Sequence, residues 1–372
     1  MRRALITGGA GFIGSYVAEE LLEAGYDVRL LDVLDPQVHE SGVPGYLPKH
    51  VELIDADVRD RAAVDKALDG VQAVVHLAAA VGVGQSMYQL HRYVDVNSCG
   101  TAVLLEALGK RRVERLVVAS SMSVYGEGAY VGPGGDAARL LHPPQRGRAQ
   151  LEKRVWEVLD GDGSELAPMP TPEEITPQPS SPYALTKYDQ ELMCLMYGAA
   201  YSLPTVALRL FNVYGPRQAL SNPYTGVMAI FACRLLNGNP PIIFEDGAQR
   251  RDFVNVRDVA RAFRAALERP EADGHAINVG SGRSLAIRDV AALLAGVLGR
   301  EDLEPQVAGK YRAGDIRHCF ADISRAESLL GYRPQVALED GIEELAEWLS
   351  RQTAVDRASV AAAELERRGL TL

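Results

Sequence analysis

The chain has 372 residues, 47% hydrophobic and 24% charged, which suits a soluble globular protein of roughly two or three structural units whose core needs no disulfide or structural metal. Its net charge of -10 argues against a general nucleic-acid binder, because duplex affinity is carried by cations facing phosphates. No apolar window is long enough to span a bilayer, and the Met1-Arg2-Arg3 start leads into no secretory segment, so a cytoplasmic protein with no membrane partner is expected.

In chain order, short β-branched runs alternate with longer segments of helical period. Strands are predicted over 3–7, 27–31, 51–55, 73–77, 115–120 and 205–210, and helices over 12–24, 61–68, 93–108 and 183–201. That rhythm is the pattern of an α/β fold, a doubly wound parallel sheet covered by helices on both faces. The sheet domain is expected over 1–210, rejoined by 254–280. A Gly- and Pro-rich insert at 127–181 interrupts it, with one helical piece at 150–159. A smaller lobe is expected from 211–253 and 281–350, and a helical tail from 351–372 whose surface helix covers 354–368. Cys99, Cys194, Cys233 and Cys319 are far apart, show no metal-ligand spacing and sit among apolar neighbours, so four reduced core thiols are expected.

Gly8-Gly9-Ala10-Gly11-Phe12-Ile13-Gly14 follows the first predicted strand and opens the first predicted helix. There Gly8 permits a tight turn, Gly11 lets the backbone approach a pyrophosphate, and Gly14 lets the helix pack close to the strand. The free N–H groups of the helix start, at Phe12 and Ile13, would hold the phosphates. Asp32 ends the second strand, 18 residues after Gly14. A carboxylate there accepts hydrogen bonds from the adenosine ribose and repels a 2′-phosphate, which favours NAD over NADP. Asp57 and Val58 follow the third strand, where an adenine edge can be met.

Tyr183 and Lys187 lie one helical turn apart, just after Pro182. With 15 Tyr and only six Lys in the chain, about 0.24 such pairs are expected by chance. Together with the glycine turn, this pair makes the sequence resemble the extended short-chain dehydrogenase/reductase family, and within it the NAD-dependent nucleotide-sugar epimerases and dehydratases. Further matching pieces are Leu77-Ala78-Ala79, Ala119-Ser120-Ser121-Met122-Ser123-Val124-Tyr125-Gly126, Leu210-Phe211-Asn212-Val213-Tyr214-Gly215-Pro216-Arg217, Arg251-Asp252-Phe253-Val254 and Asn278-Val279-Gly280.

The resemblance implies Tyr183 as general base toward a sugar hydroxyl, its pKa lowered by Lys187 and by the nicotinamide, with Ser121 sharing the reacting oxygen. It implies Leu77, Ala78, Ala79, Asn97 and Val213 around the NAD. Dehydratases of the family carry an Asp-Glu pair after the catalytic hydroxyl residue. Met122 and Ser123 stand there instead, so a 4-epimerase is expected, acting through a 4-keto sugar. For the nucleoside diphosphate, the resemblance implies Asn212, Arg251 and Arg312 at the pyrophosphate, Asp315 at the ribose, and Ile242 and Phe244 at the base, with Ser123 near the sugar. Arg217 follows the Tyr214-Gly215-Pro216 element, where a direct role stays open. The 62 residues from Ser121 to Tyr183 and the segments around 222–231 and 244–247 resemble the branch of dTDP-L-rhamnose 4-epimerases, and the insert is equally readable as a cap on the sugar pocket or as a surface excursion. UDP-glucuronate and UDP-galactose stay open as substrates, as do an NAD-dependent nucleotide-sugar dehydrogenase or reductase and a regulatory NAD-binding scaffold. Relatives pair through the helices at 93–108 and 183–201, so a homodimer is expected.

Overall fold

The alternating pattern builds a seven-stranded parallel sheet in this computed structural model, which describes residues 2–40, 42–135, 139–220, 222–352 and 355–371. Its strands are β1 (Arg3–Thr7), β2 (Asp27–Asp32), β3 (Glu52–Asp55), β4 (Ala73–His76), β5 (Arg115–Ser121), β6 (Thr205–Leu210) and β7 (Ala276–Val279). They lie side by side in the order β3-β2-β1-β4-β5-β6-β7. The order reverses between β1 and β4, and that switch point opens a crevice beyond the carboxyl ends of the strands.

The helices are α1 (Phe12–Glu23), α2 (Arg61–Ala67), α3 (Gly100–Leu108), α4 (Pro182–Tyr201), α5 (Val227–Leu236), α6 (Val256–Glu268), α7 (Ile287–Val297), α8 (Leu338–Leu349) and α9 (Ala358–Arg367). Successive strand side chains face opposite ways, so β1 feeds two cores. Ile6 joins Leu21, Leu30, Val117, Leu208 and Phe263 under α1 and α6. Leu5 joins Leu31, Val64, Leu104, Leu116 and Cys194 under α2, α3 and α4. A third core in the smaller lobe gathers Phe231, Leu235, Leu294, Ile342 and Leu345 from α5, α7 and α8. That lobe is tied to the sheet domain by Asn212–Tyr214, which runs on from β6 and pairs in parallel with Phe253–Asn255, just before α6.

Several sequence expectations need correction. The helix expected over 93–108 is a turn at Leu90–Tyr93, a π-helical stretch Val94–Cys99, and then α3. Cys194, Cys233 and Cys319 are buried, but Cys99 in that stretch is exposed, so the expectation of four core thiols fails for it. The helix expected over 150–159 stops as Arg148–Glu152, because Arg154 takes a left-handed backbone (φ 58). The Gln150 amide then donates to the Val155 and Glu157 carbonyls at 3.1 and 2.6 Å. The tail helix starts at Ala358; residue 354, where it was expected to begin, lies outside the described residues. Nor is that helix merely superficial, since Ala361 and Leu365 are buried. No helix among the described residues is long and apolar enough to cross a membrane.

The insert forms a small antiparallel pair, Ala129–Val131 with Ala167–Met169, and docks through buried charges. Arg146 pairs with Glu127 at 3.3 Å and Glu245 at 2.9 Å. Arg317, fully buried, pairs with Glu157, Asp246 and Glu245 at 2.5, 2.7 and 2.9 Å. The insert's two ends meet: a Cβ on Gly126 would lie 2.5 Å from the Gln178 carbonyl oxygen. Apart from Ser180 and Ser181 at its end, none of the segment's described residues lines the crevice, which favours the surface excursion over the sugar-pocket cap.

Candidate active site

A cavity of about 940 Å³ runs from the β1–α1 turn, past the ends of β4 and β5, into the smaller lobe. At its first end Gly8 takes a positive φ of 69, and a side chain there would meet the Ala78 amide nitrogen at 2.8 Å. A Cβ on Gly14 would come 2.3 Å from the Gly8 carbonyl oxygen, so only glycine allows α1 to sit this close to the turn. Gly11 caps α1 without a side-chain hydrogen bond, and the first turn carries no acid. The first-turn N–H groups at Phe12, Ile13 and Gly14 therefore face the cavity as an anion cradle, which fits a dinucleotide pyrophosphate. Asp32 accepts from the Ala10 and Leu34 amides, both at 2.9 Å, and keeps further lone pairs toward the cavity. Asp57 is already bound by Arg59, at 2.8 Å to its amide and 2.9 Å to its Nε, and that pairing lowers its pKa. Val58, Leu77, Ala78, Ala79 and Val213 complete this end of the cavity.

Tyr183 enters on the first turn of α4. Pro182 opens that helix and Ser181 caps it, accepting from the Ala184 amide at 3.1 Å. Ser121, the last residue of β5, faces the same stretch of the cavity as Tyr183, and its hydroxyl favours the ionised phenol. Its Oγ also accepts from the Ser123 hydroxyl at 2.9 Å. Lys187, one turn along, is buried and donates to Gln190 Oε1 at 2.6 Å. Burial pulls its ammonium down to about 8. Burial also pushes the Tyr183 phenol up, and the Ser121 hydroxyl offsets this only in part. The lowering expected from Lys187 and the nicotinamide together belongs to the NAD-bound form. His76, beneath Lys187, is held neutral with its pKa at about 3 by burial and by that lysine.

Sequence reasoning missed the support behind this set. Glu191 accepts from the Ser120 hydroxyl at 2.6 Å and from Arg209 Nη2 at 2.6 Å, and Arg209 reaches the Tyr125 hydroxyl at 2.9 Å. This buried network ties β5, α4 and β6 together where Ser121 and Tyr183 meet. Glu191 stands eight residues after Tyr183, on the helix face turned to the sheet, and that spacing is the signal that could have found it.

Across the cavity lie Asn212, Ile242, Phe244, Arg251, Arg312 and Asp315. Arg312 binds the Asp315 carboxylate at 2.9 Å and stacks 4.7 Å from the Phe244 ring centre. Burial pushes the Asp315 carboxyl up, but Arg312 and Arg251 outweigh it and leave its pKa lowered. Among the cations lining the cavity, Arg59, Arg92, Arg234 and Arg312 are paired with carboxylates. Arg251 instead donates to the Ile316 and Arg317 carbonyls at 2.7 and 2.9 Å, so its charge is free for an anion. The Asn212 Oδ1 atom is buried without a partner.

Two residues are not brought to the cavity. Asn97 turns inward from the π-helical stretch and holds both backbone groups of Ala80, at 2.7 and 3.1 Å. Arg217 pairs with Glu19 at 2.7 Å and stacks on Tyr16, a structural clamp on α1. Conversely, Gln37, Gln85 and Asn222 line the cavity and bond to one another, and α9 supplies part of its wall. No local motif marks these residues; their partners are remote in sequence.

A pyrophosphate cradle beside a Ser–Tyr–Lys set defines a dinucleotide-dependent enzyme that acts on a hydroxyl-bearing substrate. The chain belongs to the NAD dependent epimerase/dehydratase family, which matches residues 4–149 and 160–280. It is 40% identical over 357 residues to dTDP-L-rhamnose 4-epimerase of Burkholderia thailandensis, covering 94% of this chain and 96% of that one. Among solved structures it is similar to UDP-glucose 4-epimerase of Thermotoga maritima with UDP-glucose, at 32% identity and a TM-score of 0.77, covering 94% of this chain and 99% of that one. It is likewise similar to UDP-glucuronic acid 4-epimerase of Bacillus cereus in complex with UDP-glucuronic acid and NAD, at 29% identity and a TM-score of 0.76, with the same coverage.

Proposed function

We propose that this protein is an NAD-dependent nucleotide-sugar 4-epimerase whose substrate is dTDP-L-rhamnose. The observation that carries the reading is the Ser121–Tyr183 pair over Lys187 in a cavity whose neighbouring positions, Met122 and Ser123, hold no carboxylate. The relative from Burkholderia supports the choice of sugar. Residues 1–210 with 254–280 carry the NAD, and 211–253 with 281–350 carry the sugar nucleotide. NAD, when bound, takes up and returns the hydride and supplies the positive charge that Tyr183 lacks. Tyr183 accepts the proton of the C4 hydroxyl while Ser121 holds the same oxygen. Arg251, Arg312 and Asn212 keep the diphosphate fixed while the 4-keto sugar turns its other face, and Tyr183 gives the proton back. With no acid or base beside Ser121, C5 keeps its proton.

Substrate carrying deuterium at C4 should therefore yield epimer that retains it, as read by mass spectrometry. Wash-out of the C4 deuterium would show that the hydride which leaves C4 is not the one returned and would sink the assignment, as would uptake of solvent deuterium at C3 or C5, which shows deprotonation next to the ketone.

A homodimer completes the reading. Along α4, Leu185, Met196 and Tyr201 are 57%, 60% and 66% exposed, and Leu90 and Val94 are exposed on the neighbouring helical stretch. An apolar stripe of this kind is covered when two copies pack these helices together. Sedimentation should give a dimer, and Met196→Glu should shift it toward the 40.2 kDa monomer. A monomeric wild type at micromolar concentration would count against the pairing.

A further inference from the structure

We infer that α9 is the part of the substrate cavity that selects the substituent at C6 of the sugar, in favour of a methyl group. The inference rests on the 4-epimerase reading and deepens it. Ala358, Ala361, Ala362 and Leu365 recur at helical spacing on one face of α9, and all line the cavity. The charged residues of the helix are engaged elsewhere: Glu364 with Arg367 and Arg368, and Glu366 with Lys310 at 2.9 Å. What α9 presents inward is apolar.

The position of this wall follows from a chain of contacts. The Tyr183 ring stands edge-on to Tyr93, 6.3 Å between centres. The Tyr93 hydroxyl donates to the Gly82 carbonyl at 2.9 Å, and a Cβ on Gly82 would lie 2.8 Å from the Tyr224 Cβ. Next to them a Cβ on Gly84 would come 3.3 Å from Leu365. On its other side Leu365 shares a small cleft with Arg312 and Asp315. The wall thus spans from the reacting tyrosine, which fixes C4, to the arginine end, which fixes the diphosphate on C1.

The chemistry of the wall is one-sided. Tyr224 hydrogen-bonds its hydroxyl to Tyr88 at 2.5 Å, so its ring offers only carbon to a ligand. Gly82 and Gly84 leave room without adding side-chain donors. Arg312 lies beyond Leu365, oriented by Asp315 and reserved for the diphosphate. A 6-deoxyhexose has one ring substituent that brings no oxygen, its C6 methyl, and this is the surface that matches it. A hydroxymethyl placed there loses its water partners without gaining protein ones, and a carboxylate would also lack a counter-charge.

The helix is held at both ends, which makes it a fixed wall. Before it, Asp356 accepts from Arg234 at 3.1 Å and from Asn239 at 3.0 Å. After it, the Ala313 amide donates to the Leu370 carbonyl at 2.8 Å, and Arg312 bridges Thr371.

The test offers dTDP-L-rhamnose, and its counterparts with a hydroxymethyl or a carboxylate at C6, to three full preparations: the wild type, Leu365→Gln, and the chain ending at residue 355. Epimer formation and calorimetric binding are read separately, with bound NAD as the check on folding. The wild type should prefer the methyl sugar over the hydroxymethyl one by about 10–100-fold in kcat/KM, as apolar pockets do. Both variants should bring that ratio to within a few-fold of one with NAD retained. If the shortened chain fails to fold, Leu365→Gln decides alone. An unchanged ratio in the variants would overturn the role of α9 and leave the epimerase standing. A wild type that binds the sugars but converts none would overturn the epimerase reading, while its isotherms still report the C6 preference.

Discussion

Replacing Tyr183 by Phe should lower kcat by about 10²–10⁴-fold and leave bound NAD in place, because the phenol is the group proposed to take the hydroxyl proton. The ring sits against Tyr93 and contributes shape as well as acid–base chemistry, and Phe keeps the shape. Ser121→Ala should cost less, since the base remains and only its hydrogen-bond partner is lost. Steady-state turnover with NAD content measured on the same samples reads both effects. A fall of less than tenfold in Tyr183→Phe would show that another group takes the proton. The neighbouring titratable side chains offer little competition: His76 is pinned neutral by burial, and Lys187 is engaged with Gln190.

Arg317→Met should be the most destabilising single change outside the cavity. Methionine fills most of the volume of the buried arginine but leaves Glu245, itself 2% exposed, with half of its countercharge. Breaking a buried ion pair from one side costs about 3–5 kcal/mol, against a total stability of roughly 5–15 kcal/mol. A thermal or denaturant melt should register that loss. The change should also raise KM, because Glu245 holds a left-handed backbone (φ 54) next to Phe244, and Phe244 carries Arg312 on its ring. A melt within 1 kcal/mol of wild type, on the scale at which exposed pairs act, would show the cluster to be dispensable.

What could be read from the sequence was whatever local pattern determines. Gly8, Gly11 and Gly14 sit at fixed spacing because one turn demands them, and Tyr183 with Lys187 share a helix face because they are one turn apart. The strands of the sheet follow from continuous apolar runs such as Leu116-Val117-Val118-Ala119. What escaped was set by partners remote in the chain. The Ala-rich face of α9 looks like an ordinary weak surface helix until Gly84 and Tyr224 are placed against it. Asn97 belongs to the dinucleotide side by position, yet the wide π-helical turn rotates it toward Ala80. Arg217 follows a motif of the site and is drawn off by Glu19. The insert gave no hint of its seat, because Arg146 and Glu157 find their counter-charges at 245 and 317.

The touching feet of that insert have a consequence for how the protein can change. The backbone departs at Gly126 and comes back at Gln178 through a pinched neck, so the segment between them is a closed loop, seated on the rest of the molecule by Arg146 and Glu157. Lengthening a flexible closed loop is thermodynamically mild, about 0.6 kcal/mol for each doubling. None of that cost reaches the separation between the Ser121 and Tyr183 hydroxyls, which the neck and the strand–helix junctions hold. The exposed turn around Gly161 and Gly163 is where added residues would be absorbed. The number of residues between the Ser121 and Tyr183 hydroxyls is therefore only loosely tied to the geometry that brings the two together.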